Sequence, residues 1–143
     1  MLHNVSYNRP NIKAEIDNSV GKAFSLVDRI KMGGIGSGKL VITQSSKQIH
    51  NLLILDSYRI VCSIEIRPKG IILNFRSILE TYGLIVPFYK LKIYKGKSEE
   101  YSIYADDYFV KVEAKEKRIH QFMKKVLDYK LEVSGQGKDE YYS

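Results

Sequence analysis

Apolar positions along this chain keep two different periods, and the changes between them divide it into three zones. From Asn11 to Lys31, Ile12, Ile16, Val20, Phe24, Val27 and Ile30 recur every three or four positions, the stripe of an amphipathic helix. Pro10 suits a first helical turn and Gly33-Gly34 a stop. Gly21 falls in the middle, where glycine costs about 1 kcal/mol relative to alanine, so one amphipathic helix is expected, either continuous or broken near that residue.

At Lys39 the period shortens. KLVITQ, QIHNLLIL, YRIVCSIEIRP and GIILNF read as successive strands, with Pro68-Lys69-Gly70 as a tight turn. In FYKLKIYKG, EEYSIYAD and DYFVKVEAK the apolar pairs Leu91/Ile93, Tyr101/Ile103 and Val110/Val112 alternate with polar neighbours. Alternation of this kind predicts an antiparallel sheet with one wet face, and the short links favour a meander. Residues 77–87 read as a loop with a short additional strand. From Lys115 the helical period returns: Ile119, Phe122, Met123, Val126 and Leu127 form a clean stripe, with Lys130 extending it at the wet end. The tail VSGQGKDEYYS is expected to fray. The predicted organisation is a helix and glycine-rich connector over 1–38, a β domain with its C-terminal helix over 39–131, and a tail over 132–143.

At 143 residues, 44% apolar and 27% charged, the chain has the size and composition of one globular domain. Its apolar runs are far shorter than the ~20 residues a membrane-spanning helix needs, and MLHNVSYNRP lacks the layout of a secretory signal. A single cysteine, Cys62, can form no internal disulfide and lies in an apolar stretch, so a buried spectator in a reducing cytoplasm is expected. The net charge of +7 favours acidic partners, nucleic acid or anionic lipid, through long-range attraction.

GGIGSGKL, Gly33 to Leu40, has the lettering of a nucleotide-hydrolase phosphate loop, and LLILD, Leu52 to Asp56, that of its magnesium strand. A phosphate loop works by aiming converging amides at an anion from the start of a helix, so the order strand, loop, helix is obligatory. Here a helical stretch precedes the glycines and a β-branched strand follows them. Leu40 also stands where a metal-binding hydroxyl belongs. The loop is therefore read as a helix-to-strand connector and LLILD as a buried strand ending at a turn aspartate. His3, His50 and His120 are scattered, and the paired carboxylates Glu99-Glu100 and Asp106-Asp107 fall at strand boundaries. Neither a metal, a cofactor nor a catalytic set is predicted.

About seven antiparallel strands closed by one C-terminal amphipathic helix is the order of pleckstrin-homology-like domains. The chain resembles bacterial members of that superfold over about residues 39–131, most closely at GLIVPFYKLKIYKG, Gly83 to Gly96. The resemblance implies a mostly β (α+β) fold: a small barrel or sandwich with a capping helix whose removal unfolds the domain, here with an additional N-terminal helix. It departs from the eukaryotic pattern in having no tryptophan in the last helix, and only Lys47 between the first two strands where phosphoinositide-binding members carry several basic residues.

Three candidate surfaces follow. Lys90, Lys92 and Tyr94 share one strand face, with Lys95 and Lys97 beside them, a basic surface able to meet phosphate and stack a ring. Lys115, Lys117, Arg118, Lys124 and Lys125 form a second basic group around the last helix. Ile16, Val20 and Phe24 form an apolar stripe that must be buried somewhere: on the chain's own sheet, against a second copy or against a protein partner. The leading expectation is a non-catalytic binding or scaffolding module for a protein, a second copy of this chain included. Binding of an anionic membrane or nucleic acid through the lysine face is the alternative, and an enzyme with dispersed catalytic groups is the third reading.

Overall fold

The computed structural model describes residues 1–54, 60–97 and 99–134. In chain order its elements are β1 (Leu2–Asn4), α1 (Pro10–Val20), α2 (Leu26–Lys31), β2 (Leu40–Ser45), α3 (Lys47–Leu53), β3 (Val61–Arg67), β4 (Gly70–Ser77), β5 (Glu80–Pro87), β6 (Lys92–Lys95), β7 (Glu100–Ala105), β8 (Tyr108–Glu113) and α4 (Lys117–Ser134). The strands form one antiparallel sheet in the order β1-β5-β4-β3-β2-β8-β7-β6, so the fold is mostly β within the α+β class.

β2 is the seam. It pairs with β3 through Leu40 and Val41 and with β8 through Ile42 to Ser45, with a register shift between Ile42 and Gln44; such an irregularity bends a strand and increases its twist. Inward-facing residues from both halves enter one core: Ile64, Ile66, Leu73 and Leu84 from one side, and Ile93, Ile103, Val110 and Val112 from the other. Ile119, Phe122, Met123, Val126 and Leu127 of α4 are buried in the same cluster, as the helical stripe requires. Lys130 does not lie at a wet end: it is 3% exposed, its aliphatic stem continuing the apolar stripe into the protein.

Three readings need correction. QIHNLLIL is not a strand; its first residues belong to α3, where Ile49 and Leu53 are buried and Leu52 packs on the core. Positions 49, 52 and 53 carry the helical spacing of three and four, and this overrides the strand preference of the isoleucine. The strand reading of LLILD fails with it, and Asp56 lies outside the described residues. Residues 80–87 are a full eight-residue strand, β5, rather than a loop, paired with β4 along its whole length. β1, which shows no alternation, completes the sheet on the far side of β5.

The N-terminal helix breaks at Gly21, whose φ is +86°. Its stripe has an intramolecular home. Val20 is buried against Ile72 and Ile85 on the outer face of β4 and β5, with Ile16 and Met1 beside it, while Phe24 packs on the main core. Self-association through Ile16, Val20 and Phe24 therefore loses its motive. Leu26, Val27 and Ile30 of α2 remain exposed, because the break turns them away from the sheet.

The β4–β5 hairpin turns on Ile78 and Leu79, between the paired Ser77 and Glu80. Ile78 has φ +58° and Leu79 is 82% exposed, although hairpins favour glycine or asparagine where φ is positive. A β-branched residue in that region carries about 1–2 kcal/mol of backbone strain. Ile78→Asn is expected to raise stability by about 1 kcal/mol and the thermal midpoint by about 2–4 °C. Circular dichroism melts check this, and a lowered midpoint would show that the turn stores no strain.

Candidate binding face

The glycine connector has the wrong polarity for a phosphate. Three of its amides are already engaged: Gly33 donates to the Ile30 carbonyl, Gly34 to that of Arg29 and Ser37 to that of Ile64, at 2.8–3.1 Å. Its carbonyls instead face cations. Arg118 donates to the oxygens of Ser37 and Lys39 at 2.7 and 3.0 Å, and Lys125 to those of Met32 and Gly34 at 3.0 and 3.2 Å. The segment then runs extended, bridged to β3 through Gly36 and Glu65. Two members of the second basic group, Arg118 and Lys125, are thus clamps on main-chain oxygens.

The other chemistry-bearing residues stay dispersed. Among the described residues no cluster of histidine, cysteine and carboxylate side chains could hold a metal. His120 is hydrogen-bonded through Nδ1 to the Tyr101 hydroxyl at 2.9 Å, and His3 lies 3.6 Å from Glu15. Burial pushes the Cys62 thiol up to about 12, which leaves almost no thiolate near neutrality and makes it an inert core residue. Asp106 sits in the β7–β8 turn and accepts from Lys90 at 3.1 Å; that hydrogen bond, with the aspartate charge, raises the Lys90 pKa. Glu100 accepts a hydrogen bond from Thr43 at 3.4 Å.

What does assemble is the outer face of β6, β7 and β8. Because side chains alternate, the residues that put Ile93, Ile103, Val110 and Val112 inside put Lys92, Tyr94, Ser102, Tyr104, Phe109 and Lys111 outside. The register sets Lys92 opposite Tyr104 and Tyr104 opposite Phe109, and Tyr94 opposite Ser102 and Ser102 opposite Lys111. Tyr94 meets Tyr104 edge to face at 5.6 Å between centroids, and Tyr104 meets Phe109 at 5.9 Å and 35°. The result is a row of three rings across three strands, with a lysine on either side of it.

This face is concave and encloses about 850 Å³, with Tyr89 and Lys90 at one end and Gly96 and Glu100 at the other. Lys90 is neutralised by Asp106, but neither Lys92 nor Lys111 forms an ion pair among the described residues. Of the five residues predicted here, Lys90, Lys92 and Tyr94 line the groove. Lys95 pairs with the inward-facing Tyr101 and Lys97 lies beyond the strand end, so both are exposed outside it. Tyr104, Phe109 and Lys111 escaped the sequence reading, because their alternation was visible but not which strands were neighbours.

A second groove, of about 720 Å³, lies between α1 and the segment before it. One of its four cations, Arg67, is occupied internally by Glu65 at 2.6 Å, Asp17 at 3.4 Å and the Gly21 carbonyl at 3.0 Å, while Arg9, Lys13 and Lys22 also line it. Among the described residues no helix is long and apolar enough to cross a membrane. Comparison of the chain with family models, with curated proteins and with solved structures finds no match in any of the three.

Proposed function

We propose that this chain is a non-catalytic binding module that holds an anionic ligand on the outer face of β6–β8. One observation carries the reading: Lys92 and Lys111, both without an ion-pair partner among the described residues, flank a row of three aromatic rings, two of which, Tyr94 and Tyr104, line a concave groove that Phe109 borders from outside. Two unpaired cations converging on one concave face attract an anion more strongly than either would alone. The overall charge of +7 adds long-range steering. The protein-partner reading has weaker support, since Ile16, Val20 and Phe24 are used within the chain.

The succession of β2–β5, then β6–β8, then a covering α4 supports the pleckstrin-homology-like reading of the fold. Function on such a scaffold follows the site rather than the scaffold. A cytoplasmic setting suits the single buried thiol.

Inorganic polyphosphate, a polyanion without bases, tests the reading by titration at 50 and 300 mM NaCl. Binding is expected at low salt and to weaken steeply at high salt, as counterion release requires. The double variant Lys92→Glu/Lys111→Glu should lose at least about tenfold in affinity. Equal binding by this variant and the parent protein would move the anion site elsewhere.

A further inference from the structure

The aromatic row adds information that charge alone does not carry. We infer that the ligand of this face is a single-stranded nucleic acid, with two or three bases stacked on Tyr94, Tyr104 and Phe109 and their phosphates held by Lys92 and Lys111. This rests on the anion-binding reading above and narrows it.

Three features argue for that ligand class. Neighbouring strands lie about 4.8 Å apart, so rings on three adjacent strands offer a platform about 10 Å long, suited to two or three splayed bases. All three rings are partly exposed although they touch one another at 5.6 and 5.9 Å. Ring–ring contact holds them in place while each stays partly exposed, and a fixed ring costs little further entropy when a base stacks on its open side. The cations lie on opposite sides of the ring row, Lys92 on β6 and Lys111 on β8, where a backbone running beside stacked bases passes. Because every base has a π-face, stacking of this kind tolerates many sequences.

The same features disfavour other anions. A bilayer is flat, and a recessed sheet face cannot reach its headgroups without the flanking turns entering first. An acidic peptide would satisfy the lysines but leave the rings unused. A duplex keeps its bases stacked within itself and offers no free π-face.

Fluorescence anisotropy with eight-nucleotide probes separates these cases. Labelled oligo(U) and oligo(dT) are compared with an abasic deoxyribose-phosphate octamer carrying the same charge. The expected result is at least tenfold tighter binding of the base-bearing probes by the unmodified protein. Tyr104→Leu should reduce that preference, the ratio of base-bearing to abasic affinity, by about tenfold. Tyr94→Leu gives a second, independent reading if Tyr104→Leu melts early. The ratio of oligo(U) to oligo(dT) affinity tells ribose from deoxyribose.

Equal affinity for the abasic and base-bearing octamers overturns the inference while leaving the anion site standing. Binding of phosphatidylserine vesicles or polyglutamate in preference to either oligonucleotide, lost in Lys92→Glu/Lys111→Glu, overturns it as well. Failure of all polyanions, polyphosphate included, overturns the anion-binding reading with it.

Discussion

Gly70→Ala should destabilise the protein by about 3 kcal/mol or more and lower its thermal midpoint by about 10 °C. Gly70 opens β4 directly after the Pro68-Lys69 turn and is paired with Pro87. A methyl group there would fall on the Val86 carbonyl oxygen, 2.6 Å from Val20 Cγ1 and 2.9 Å from the Pro87 Cα. Two of these neighbours are main chain and cannot step aside as a side-chain tip can. The same turn donates from the Lys69 amide to the Val20 carbonyl and accepts from Phe88 at its own carbonyl, both at 2.8 Å, so any shift also loosens the end of α1 and the exit of β5. Gly36→Ala is the control: no atom lies within 4 Å of its added carbon, and the expected cost is under about 0.5 kcal/mol. Paired thermal melts of the two variants decide the matter. Midpoints within a degree of each other would mean that α1 does not close on the sheet at this point.

The second large effect concerns α4. Met123 is fully buried in the main core, and Met123→Asp would place a carboxylate among isoleucines and valines with no partner. An unpaired buried charge costs several kcal/mol even after relaxation, about 4 kcal/mol or more against a total stability of about 5–15 kcal/mol. The variant is expected to lose its cooperative melt and its dispersed amide NMR spectrum at 25 °C. Lys124→Asp, one residue along on the exposed side, should leave both intact. A Met123→Asp protein that still melts cooperatively within a few degrees of the parent would show that the sheet closes without this helix.

Much of this architecture was visible as periodicity, and the failures have physical causes. The stripe of Ile119, Phe122, Met123, Val126 and Leu127 and the turn at Pro68-Lys69-Gly70 are local signals that tertiary packing reinforces. α3 was misread because isoleucine and leucine suit either state, although the spacing of Ile49, Leu52 and Leu53 was helical throughout. β5 was obscured by Gly83 and Pro87, both poor strand formers; the strand survives because β4 pairs with it from Gly70 to Ser77. β1 has three residues and no local signal, since it exists by virtue of the free side of β5. The site divides the same way. Lys92 and Tyr94 were legible from the alternation on one strand. Tyr104, Phe109 and Lys111 needed the lateral register of β6, β7 and β8, which is a property of the sheet and not of any segment.

The grip of Arg118 and Lys125 on the carbonyls around the glycine connector also bears on how the molecule comes into being. The donors follow their acceptors by some eighty to ninety positions. On the ribosome the connector therefore emerges with those oxygens bound to water, and it stays unlatched until α4 has been translated. The helix carries both the lid of the core and the latch of the connector, so neither is complete before α4 has been made.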